Sequence, residues 1–388
     1  MRVALDGQPL LTPLAGVGHY TRQLIHALAR ADAGHRYYVV VPRPLRALRR
    51  RSVLSGFPEP NVELVVPGWW PTMRARLQRR LGRAAELGQG LVPPCDVFHA
   101  TNNVFPYRVR AARSVLTIHD LTLLLFPEWH PADRLALMAP ALEPAVRRAD
   151  HVITPSQATR NDVLKLLPVD PERVSVVPEG VAPTFAPMPA ADVAARLAPL
   201  GLRGGDYLLF LGTIEPRKNL LRLLEAVELA APQIGPLVVA GGRGWNDARI
   251  RAALARLAGA GRVRGLGYVP DDVKPALLAG ARAFVYPSLY EGFGLPPLEA
   301  MACGTPVLTS SVASLPEVVG DAALLVDPED VPALATALAR IWREDPLRAE
   351  LRARGLARAR RFSWERTARL TLDVYRTVLG AAARSSRP

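Results

Sequence analysis

Cysteine is scarce in this chain of 388 residues: only Cys95 and Cys303 occur, far apart in the sequence. Two cysteines cannot build the dense disulfide framework that stabilises small secreted domains, and these two lack the paired spacing of a zinc module. The pattern predicts two free thiols in a reducing cytoplasm.

Long apolar runs are absent as well. No stretch of about 18 apolar residues occurs, which predicts that no helix spans a membrane. The opening residues 1–7 have the pattern of a β-strand and lack the basic and then apolar segments of a signal peptide. We therefore expect a cytoplasmic protein.

Acidic residues are too few to balance the basic ones. The chain has 49 lysines and arginines against 35 aspartates and glutamates, a net charge of +14. This excess suits an anionic partner, such as nucleic acid, a membrane surface or a phosphorylated substrate. Nucleic acid is not favoured, because zinc spacing, RNA-binding aromatic motifs and helix-turn-helix signals are missing. An arginine-rich coding bias is an alternative source of the charge.

Short apolar runs alternate with helical apolar spacing along the chain, which indicates βαβ units and parallel sheets. The length favours two domains. We therefore predict the α/β class, with two doubly wound Rossmann-like domains that bind ligands at the carboxyl ends of their strands, in the cleft between them. The predicted strands are 2–6, 37–41, 62–66, 96–99, 114–119, 151–154 and 174–177, followed by 207–212, 237–241, 283–286, 306–309 and 323–327.

Prolines mark the boundary between the two alternating patterns. Three of them fall in 182–189, which predicts a first domain at 1–185, a linker at 186–203 and a second domain at 204–362. The remaining residues, 363–388, begin with a helical pattern.

The stretch 286–307 carries the most chemical information. A strand ends at Tyr286, a glycine-bearing loop follows, and Pro296-Pro297 opens a short helix that Gly304 closes. Backbone N–H groups of the loop and the positive end of the helix suit an anionic or hydroxyl-rich ligand. The loop residues predicted to contact it are Gly292, Phe293, Gly294 and Leu295.

Two carboxylates belong to the same unit. Glu291 lies in the loop, and Glu299 lies eight residues later on the helix. Each could hold a different part of a sugar nucleotide. The alternative is a pair of surface glutamates around the start of a helix.

Adjacent cations follow another predicted strand. Arg217 and Lys218 come after 207–212 and combine a guanidinium fork with an ammonium point charge, which suits a diphosphate. The alternative is a solvated turn. No Asp-x-Asp motif occurs, so we expect no metal that bridges the phosphates through that motif.

Together these motifs resemble the signature of retaining glycosyltransferase family 4, in which two glutamates enclose seven residues after a strand. The resemblance covers nearly the whole chain. It implies the GT-B fold, a nucleotide-diphosphate sugar donor, retention at the anomeric carbon, and a last helix, in 363–388, that crosses back to the first domain. Other matching segments are Gly16-Val17-Gly18-His19-Tyr20, His119-Asp120, Gly212 to Asn219, and Gly267-Tyr268-Val269-Pro270.

The resemblance gives the candidate residues their roles. Its implied catalytic residues are Glu291, His119, Arg217 and Lys218. Its implied donor-binding residues are Gly16, Gly18, Arg217, Lys218, Val269, Gly292, Phe293, Gly294, Leu295 and Glu299. Without the resemblance, the alternatives are that His119 is a core or capping histidine and that Gly16 and Gly18 form a tight turn. Glu179 stands where many relatives carry asparagine, and His19 where many carry arginine.

One segment is unusually basic. Ten arginines and two glutamates lie between Arg43 and Arg83, with Trp69-Trp70 among them. A basic amphipathic helix with tryptophans suits an anionic membrane surface, and this would place the protein on the inner face of the cell membrane. The alternative is a solvated arginine-rich face.

These observations predict a hexosyltransferase of cell-surface polysaccharide synthesis. The resemblance favours mannose, with GDP-mannose as co-substrate, no metal or other cofactor, and a glycan or lipid-linked acceptor. The alternative is a nucleotide-sugar epimerase or hydrolase of the same architecture, which would require a further acid/base pair.

Overall fold

A computed structural model describes residues 1–11, 16–41, 56–66, 93–107, 109 and 111–385. The chain forms two compact units. The first comprises Met1–Leu121, Ala136–Gly180 and Trp364–Pro388, and the second comprises Thr122–Leu135 and Val181–Ser363. Each unit has its own sheet and its own apolar core.

The sheet of the first unit is parallel throughout, in the order β3-β2-β1-β4-β5-β6-β7. Consecutive residues of β1 alternate between two apolar clusters, with Val3 and Leu5 in one and Ala4 in the other. Both faces are therefore buried at the centre of the sheet, and β1 and β2 are buried at every position after the first. The strands are β1 (Arg2–Asp6), β2 (Arg36–Val40), β3 (Val62–Val65), β4 (Cys95–Ala100), β5 (Ala111–Thr117), β6 (His151–Thr154) and β7 (Val174–Val176).

Helices cover this first sheet. The last helix, Trp364–Ser385, packs against Gly16–Ala31 and contributes Trp364, Ala368, Leu372 and Tyr375 to the core. These four residues recur every three or four positions, so they form one apolar stripe. The helices of this unit are Gly16–Ala31, Gln157–Leu166 and Trp364–Ser385, with most of Ala132–Arg148 and the 3₁₀ turns Gln8–Leu11 and Pro171–Arg173.

The second unit repeats the same topology, with all strands parallel in the order β10-β9-β8-β11-β12-β13. Numbered within each unit, the orders read 3-2-1-4-5-6-7 and 3-2-1-4-5-6, and both contain the 3-2-1-4-5-6 order of a doubly wound Rossmann sheet. The predicted α/β class with two such sheets is confirmed. The strands are β8 (Leu208–Leu211), β9 (Leu237–Ala240), β10 (Val263–Gly267), β11 (Ala283–Tyr286), β12 (Val307–Ser310) and β13 (Ala323–Val326).

The second unit contains α-helices and short 3₁₀ turns between its strands. The α-helices are Thr122–Leu125, Ala190–Leu197, Leu220–Ala230, Ala248–Gly259, Lys274–Gly280, Leu295–Ala302, Leu315–Val319, Val331–Arg343 and Asp345–Ala359. The 3₁₀ turns are Pro127–Trp129, Ala198–Leu200 and Pro216–Lys218. None of the helices in the described part of the chain is long and apolar enough to cross a membrane.

The predicted linker at 186–203 is wrong. These residues hold the helix Ala190–Leu197, whose side chains Val193 and Leu197 are buried in the core of the second unit. Four residues separate the two, so they lie on one face of the helix. The prolines that suggested a linker precede the helix, where the absent N–H of proline costs nothing.

The arginine-rich segment lies outside the described residues for most of its length, including Trp69-Trp70 and 74–83. The expectation that it binds an anionic membrane surface therefore stays a prediction. The two cysteines are free, as predicted, and both are buried.

Candidate active site

The topological switch point of the second sheet lies between β8 and β11, because strand order reverses there. After β8 the chain enters the 3₁₀ turn Pro216–Lys218, and after β11 it enters the loop that contains Glu291. Ligands of doubly wound sheets bind at this position, beyond the carboxyl ends of the strands. Three predicted catalytic residues, Arg217, Lys218 and Glu291, meet here.

One carboxylate holds both cations. Lys218 Nζ lies 2.6 Å from Glu291 Oε1, and Arg217 Nη1 lies 2.7 Å from Glu291 Oε2. The Ser288 hydroxyl donates to Glu291 Oε1 over 2.6 Å. Arg217 also contacts Glu215, with Nη2 3.0 Å from Oε1. Two carboxylates therefore neutralise two cations in this arrangement.

Burial and charge oppose each other at this cluster. Burial alone would raise the pKa of Glu291, but Arg217 and Lys218 outweigh it and lower that pKa to about 2. Burial, followed by the charge of Arg217, holds the pKa of Lys218 below its usual range, although Glu291 acts in the other direction. Only 7% of the surface of Lys218 and 7% of that of Glu291 is exposed, so their attraction is weakly screened.

Asn219 fixes the backbone of this turn. It has a left-handed conformation, with φ of 57°, and it precedes the helix Leu220–Ala230. Its side-chain amide donates to the carbonyl oxygens of Pro287 at 3.0 Å and Pro328 at 2.7 Å. The turn with the two cations is thereby tied to the loop after β11.

The loop after β11 leads into the helix Leu295–Ala302. Gly294 precedes it with φ of 117°, a value that disfavours any residue with a side chain. Glu299 is half-buried on this helix. Phe293 is buried against Phe362, with ring centroids 5.8 Å apart, so its side chain belongs to the core and only its backbone can face a ligand.

Val269 follows β10, which is an edge strand. Its side chain is 5% exposed and packs in the core of the second unit, whereas the neighbouring Tyr268 is 65% exposed. A contact of this segment with a nucleotide base stays a prediction.

His119 lies in the first unit, just beyond β5. Its Nε2 is 2.9 Å from the carbonyl oxygen of Thr101, and its Nδ1 is 3.4 Å from Glu179 Oε1. The Tyr20 and His119 rings pack in a T-shaped arrangement, with centroids 4.6 Å apart. Burial would lower the pKa of His119, but Glu179 outweighs burial and raises it above its usual value.

The glycines of the first unit do not form the predicted loop. Gly16 and Gly18 lie in the first turn of the helix Gly16–Ala31, because residues 16–31 continue its helical apolar pattern without a break. Gly16 is exposed and Gly18 is buried. Any donor contact by these glycines would come from the N-terminal end of a helix, where backbone N–H groups are available.

Two residues of these sites escaped prediction. Glu215 lies two residues before the predicted pair Arg217 and Lys218, and Glu179 enters the sequence analysis only as a departure from the family. Each follows a strand, β8 and β7 respectively, and each is at most 5% exposed. A carboxylate shortly after a buried parallel strand was the available signal. Among the described residues, no group of three or more histidine, cysteine or carboxylate side chains is placed to hold a metal ion.

Comparison with known proteins identifies the family. Residues 14–185 match the family described as Glycosyltransferase Family 4, and residues 199–358 match Glycosyl transferases group 1. The chain is 40% identical to O-antigen chain mannosyltransferase B of Escherichia coli, over 97% of this chain and 100% of that protein.

Solved structures show the same fold. Sucrose-phosphate synthase from Thermosynechococcus elongatus has a TM-score of 0.71 at 23% identity, over 98% of this chain and 99% of that one. Anabaena HepE in complex with UDP and glucose has a TM-score of 0.70 at 18% identity, over 97% of this chain and 100% of that one. The fold is therefore GT-B, and the chain belongs to glycosyltransferase family 4.

Proposed function

We propose that this glycosyltransferase transfers mannose from GDP-mannose, with retention, to a glycan or lipid-linked acceptor in cell-surface polysaccharide synthesis. The observation that carries the proposal is the cluster of Arg217, Lys218 and Glu291 at the switch point of the second sheet. Breaking a sugar–phosphate bond develops negative charge on the leaving diphosphate, and paired cations in a buried site can stabilise it. The choice of mannose rests on the similarity to the O-antigen mannosyltransferase.

The donor diphosphate binds Arg217 and Lys218 beside the carboxylates that pair with these cations in the structure. In the structure Glu215 and Glu291 neutralise Arg217 and Lys218. A diphosphate carries more negative charge than either glutamate, and its charge grows as the bond breaks. The two cations therefore act without a bridging metal, in line with the missing Asp-x-Asp motif.

The surroundings of Glu291 favour front-face departure over a covalent intermediate. Its two oxygens accept hydrogen bonds from Lys218, Arg217 and Ser288. A carboxylate that is so strongly paired, with its pKa lowered to about 2, is a weak nucleophile. In the proposed mechanism the bond from the anomeric carbon to the diphosphate breaks, and the acceptor oxygen forms its bond to that carbon on the same face. The leaving diphosphate takes the proton of the acceptor hydroxyl.

A transfer assay with the full chain tests this function. We expect mannosyl transfer from GDP-mannose to a mannose-terminated lipid-linked acceptor, with the α-configuration of the donor retained in the product, and an unchanged rate when EDTA is added. UDP-glucose is the matched donor control, and GDP-mannose without acceptor is the control for hydrolysis or epimerisation. Transfer from UDP-glucose alone would overturn the donor assignment. Loss of the rate with EDTA and its recovery with a divalent cation would overturn the metal-free mechanism.

Glu299 is proposed to hold the donor ribose. A carboxylate accepts from two vicinal hydroxyls, and leaving these unpaired costs about 1–3 kcal/mol. Glu299→Ala is therefore expected to raise the Kd of GDP roughly tenfold or more, as measured by calorimetry. Glu225→Ala, on an exposed position of the helix Leu220–Ala230, is the matched control and should leave the Kd unchanged. Equal affinities of the Glu299 variant and wild type would contradict this role.

A further inference from the structure

His119 is held between two hydrogen-bond acceptors. Its Nε2 faces the carbonyl oxygen of Thr101 at 2.9 Å, and its Nδ1 faces a carboxylate oxygen of Glu179 at 3.4 Å. A neutral imidazole has one N–H and one lone pair, so it can satisfy only one of these acceptors. In a neutral ring the nitrogen without a proton would point its lone pair at the Thr101 carbonyl oxygen or at the Glu179 carboxylate, and either contact is repulsive.

We propose that Glu179 is a positioning residue that keeps His119 doubly protonated, so that His119 is a fixed imidazolium and not an acid or base of the reaction. A proton between these two groups belongs on the imidazole near neutral pH, since a carboxyl is the stronger acid. The backbone N–H of His119 donates to Asn103 Oδ1 over 2.8 Å, which fixes the backbone of the residue that carries the ring.

Among the described residues, the other groups around the His119 ring carry no positive charge that would disfavour the imidazolium. Asp120, next in the chain, adds a second negative charge that favours the imidazolium. Tyr20, from the helix Gly16–Ala31, makes a T-shaped ring contact with His119, and burial raises its pKa far above neutrality, so it stays uncharged. His99 on β4 is neutral, because burial lowers its pKa to about 3. The hydroxyl of Thr159, on the helix Gln157–Leu166, donates to the His119 carbonyl oxygen over 3.4 Å.

This arrangement has a defined dependence on pH. The pKa of His119 is raised in the folded protein, so the imidazolium is fully present below the usual histidine pKa and is lost as pH rises through the raised value. Wild-type turnover is therefore expected to show no ascending limb near pH 6.5, which a histidine general base would produce.

Histidine ¹⁵N chemical shifts of the full chain test the protonation state directly. At pH 7 both ring nitrogens of His119, assigned by comparison with His119→Gln, are expected to be protonated. Glu179→Gln is expected to lower the titration midpoint by about one pH unit or more. Glu172→Gln, an exposed glutamate in the turn Pro171–Arg173, is the matched control and should not move it. A neutral ring at pH 7 in wild type, or an unmoved midpoint in Glu179→Gln, would overturn the proposal.

The kinetic test rests on the proposed function, whereas the spectroscopic test does not. Glu179→Gln is expected to match wild-type turnover within about threefold at pH 6 and to lose about tenfold more by pH 8, because the ring then becomes neutral. Glu179→Asp, which keeps the charge, should restore the wild-type pH profile. A loss of equal size at every pH would mean a merely structural role for Glu179 and would overturn the proposal. Absence of mannosyl transfer by wild type would overturn the proposed function alone.

Discussion

Lys218→Ala is expected to lower the turnover number by about 100- to 1000-fold, the range seen when an enzyme loses one electrostatic partner of its transition state. Lys218 is buried, and its Nζ donates to Glu291 Oε1 over 2.6 Å and to the Tyr286 hydroxyl over 2.5 Å. Charge on the diphosphate grows in the transition state, so donor affinity should change less than turnover. Transfer at saturating GDP-mannose measures the effect.

The ion pair with Glu291 complicates this test, because removal of Lys218 leaves a buried carboxylate with one cation fewer. A double-mutant cycle with Glu291→Gln separates the two contributions. If Lys218 stabilises the diphosphate, Lys218→Ala still lowers the turnover number when it is combined with Glu291→Gln. If its only role is to pair with Glu291, Lys218→Ala causes no further loss of turnover in the Glu291→Gln variant. Lys274→Ala, which breaks an ion pair with Asp271, is the control for loss of a paired lysine.

Much of the fold was predictable because its strands are buried on both faces. Twelve of the strands in the described ranges correspond to apolar runs in the sequence, and Arg2–Asp6, His151–Thr154 and Ala283–Tyr286 have the predicted limits. The missed strand, Val263–Gly267, lies at the edge of its sheet, where only Val263 is buried and the register shifts at Gly265. An edge strand with glycines carries little of the apolar signal on which such predictions depend.

The site was partly predictable for a different reason. Parallel strands bring their carboxyl ends to one edge, so motifs after β8 and β11 had to lie near each other once the topology was known. The pairing within the cluster was not predictable. That Glu291 binds both cations depends on side-chain packing around Ser288 and Tyr286, and that Glu179 meets His119 depends on the adjacency of β5, β6 and β7. Neither relation has a local pattern in the sequence.

Asn219→Ala is expected to destabilise the protein by about 3 kcal/mol, from two unsatisfied buried carbonyl groups at about 1 kcal/mol each and a further 1 kcal/mol for alanine in a left-handed conformation. Asn219 is 4% exposed, and its amide donates to the carbonyl oxygens of Pro287 and Pro328. For a domain of this size the loss corresponds to a fall of about 6–12 °C in the midpoint of thermal unfolding. Turnover should fall as well, because Asn219 directly follows the two cations.

Two companion variants separate the causes of this loss. Asn219→Gly removes the same two hydrogen bonds but accepts a φ of 57° without strain, so it should be about 1 kcal/mol more stable than Asn219→Ala. Asn219→Asp tolerates the left-handed backbone but presents a carboxylate to two carbonyl oxygens, and it should be the least stable of the three. Equal midpoints for the alanine and glycine variants would show that the backbone conformation contributes nothing. An unfolding midpoint of Asn219→Ala within about 1 °C of wild type would show that the two hydrogen bonds do not hold the turn. At about 2–4 °C per kcal/mol, a shift of that size corresponds to less free energy than the loss of one buried hydrogen-bond partner.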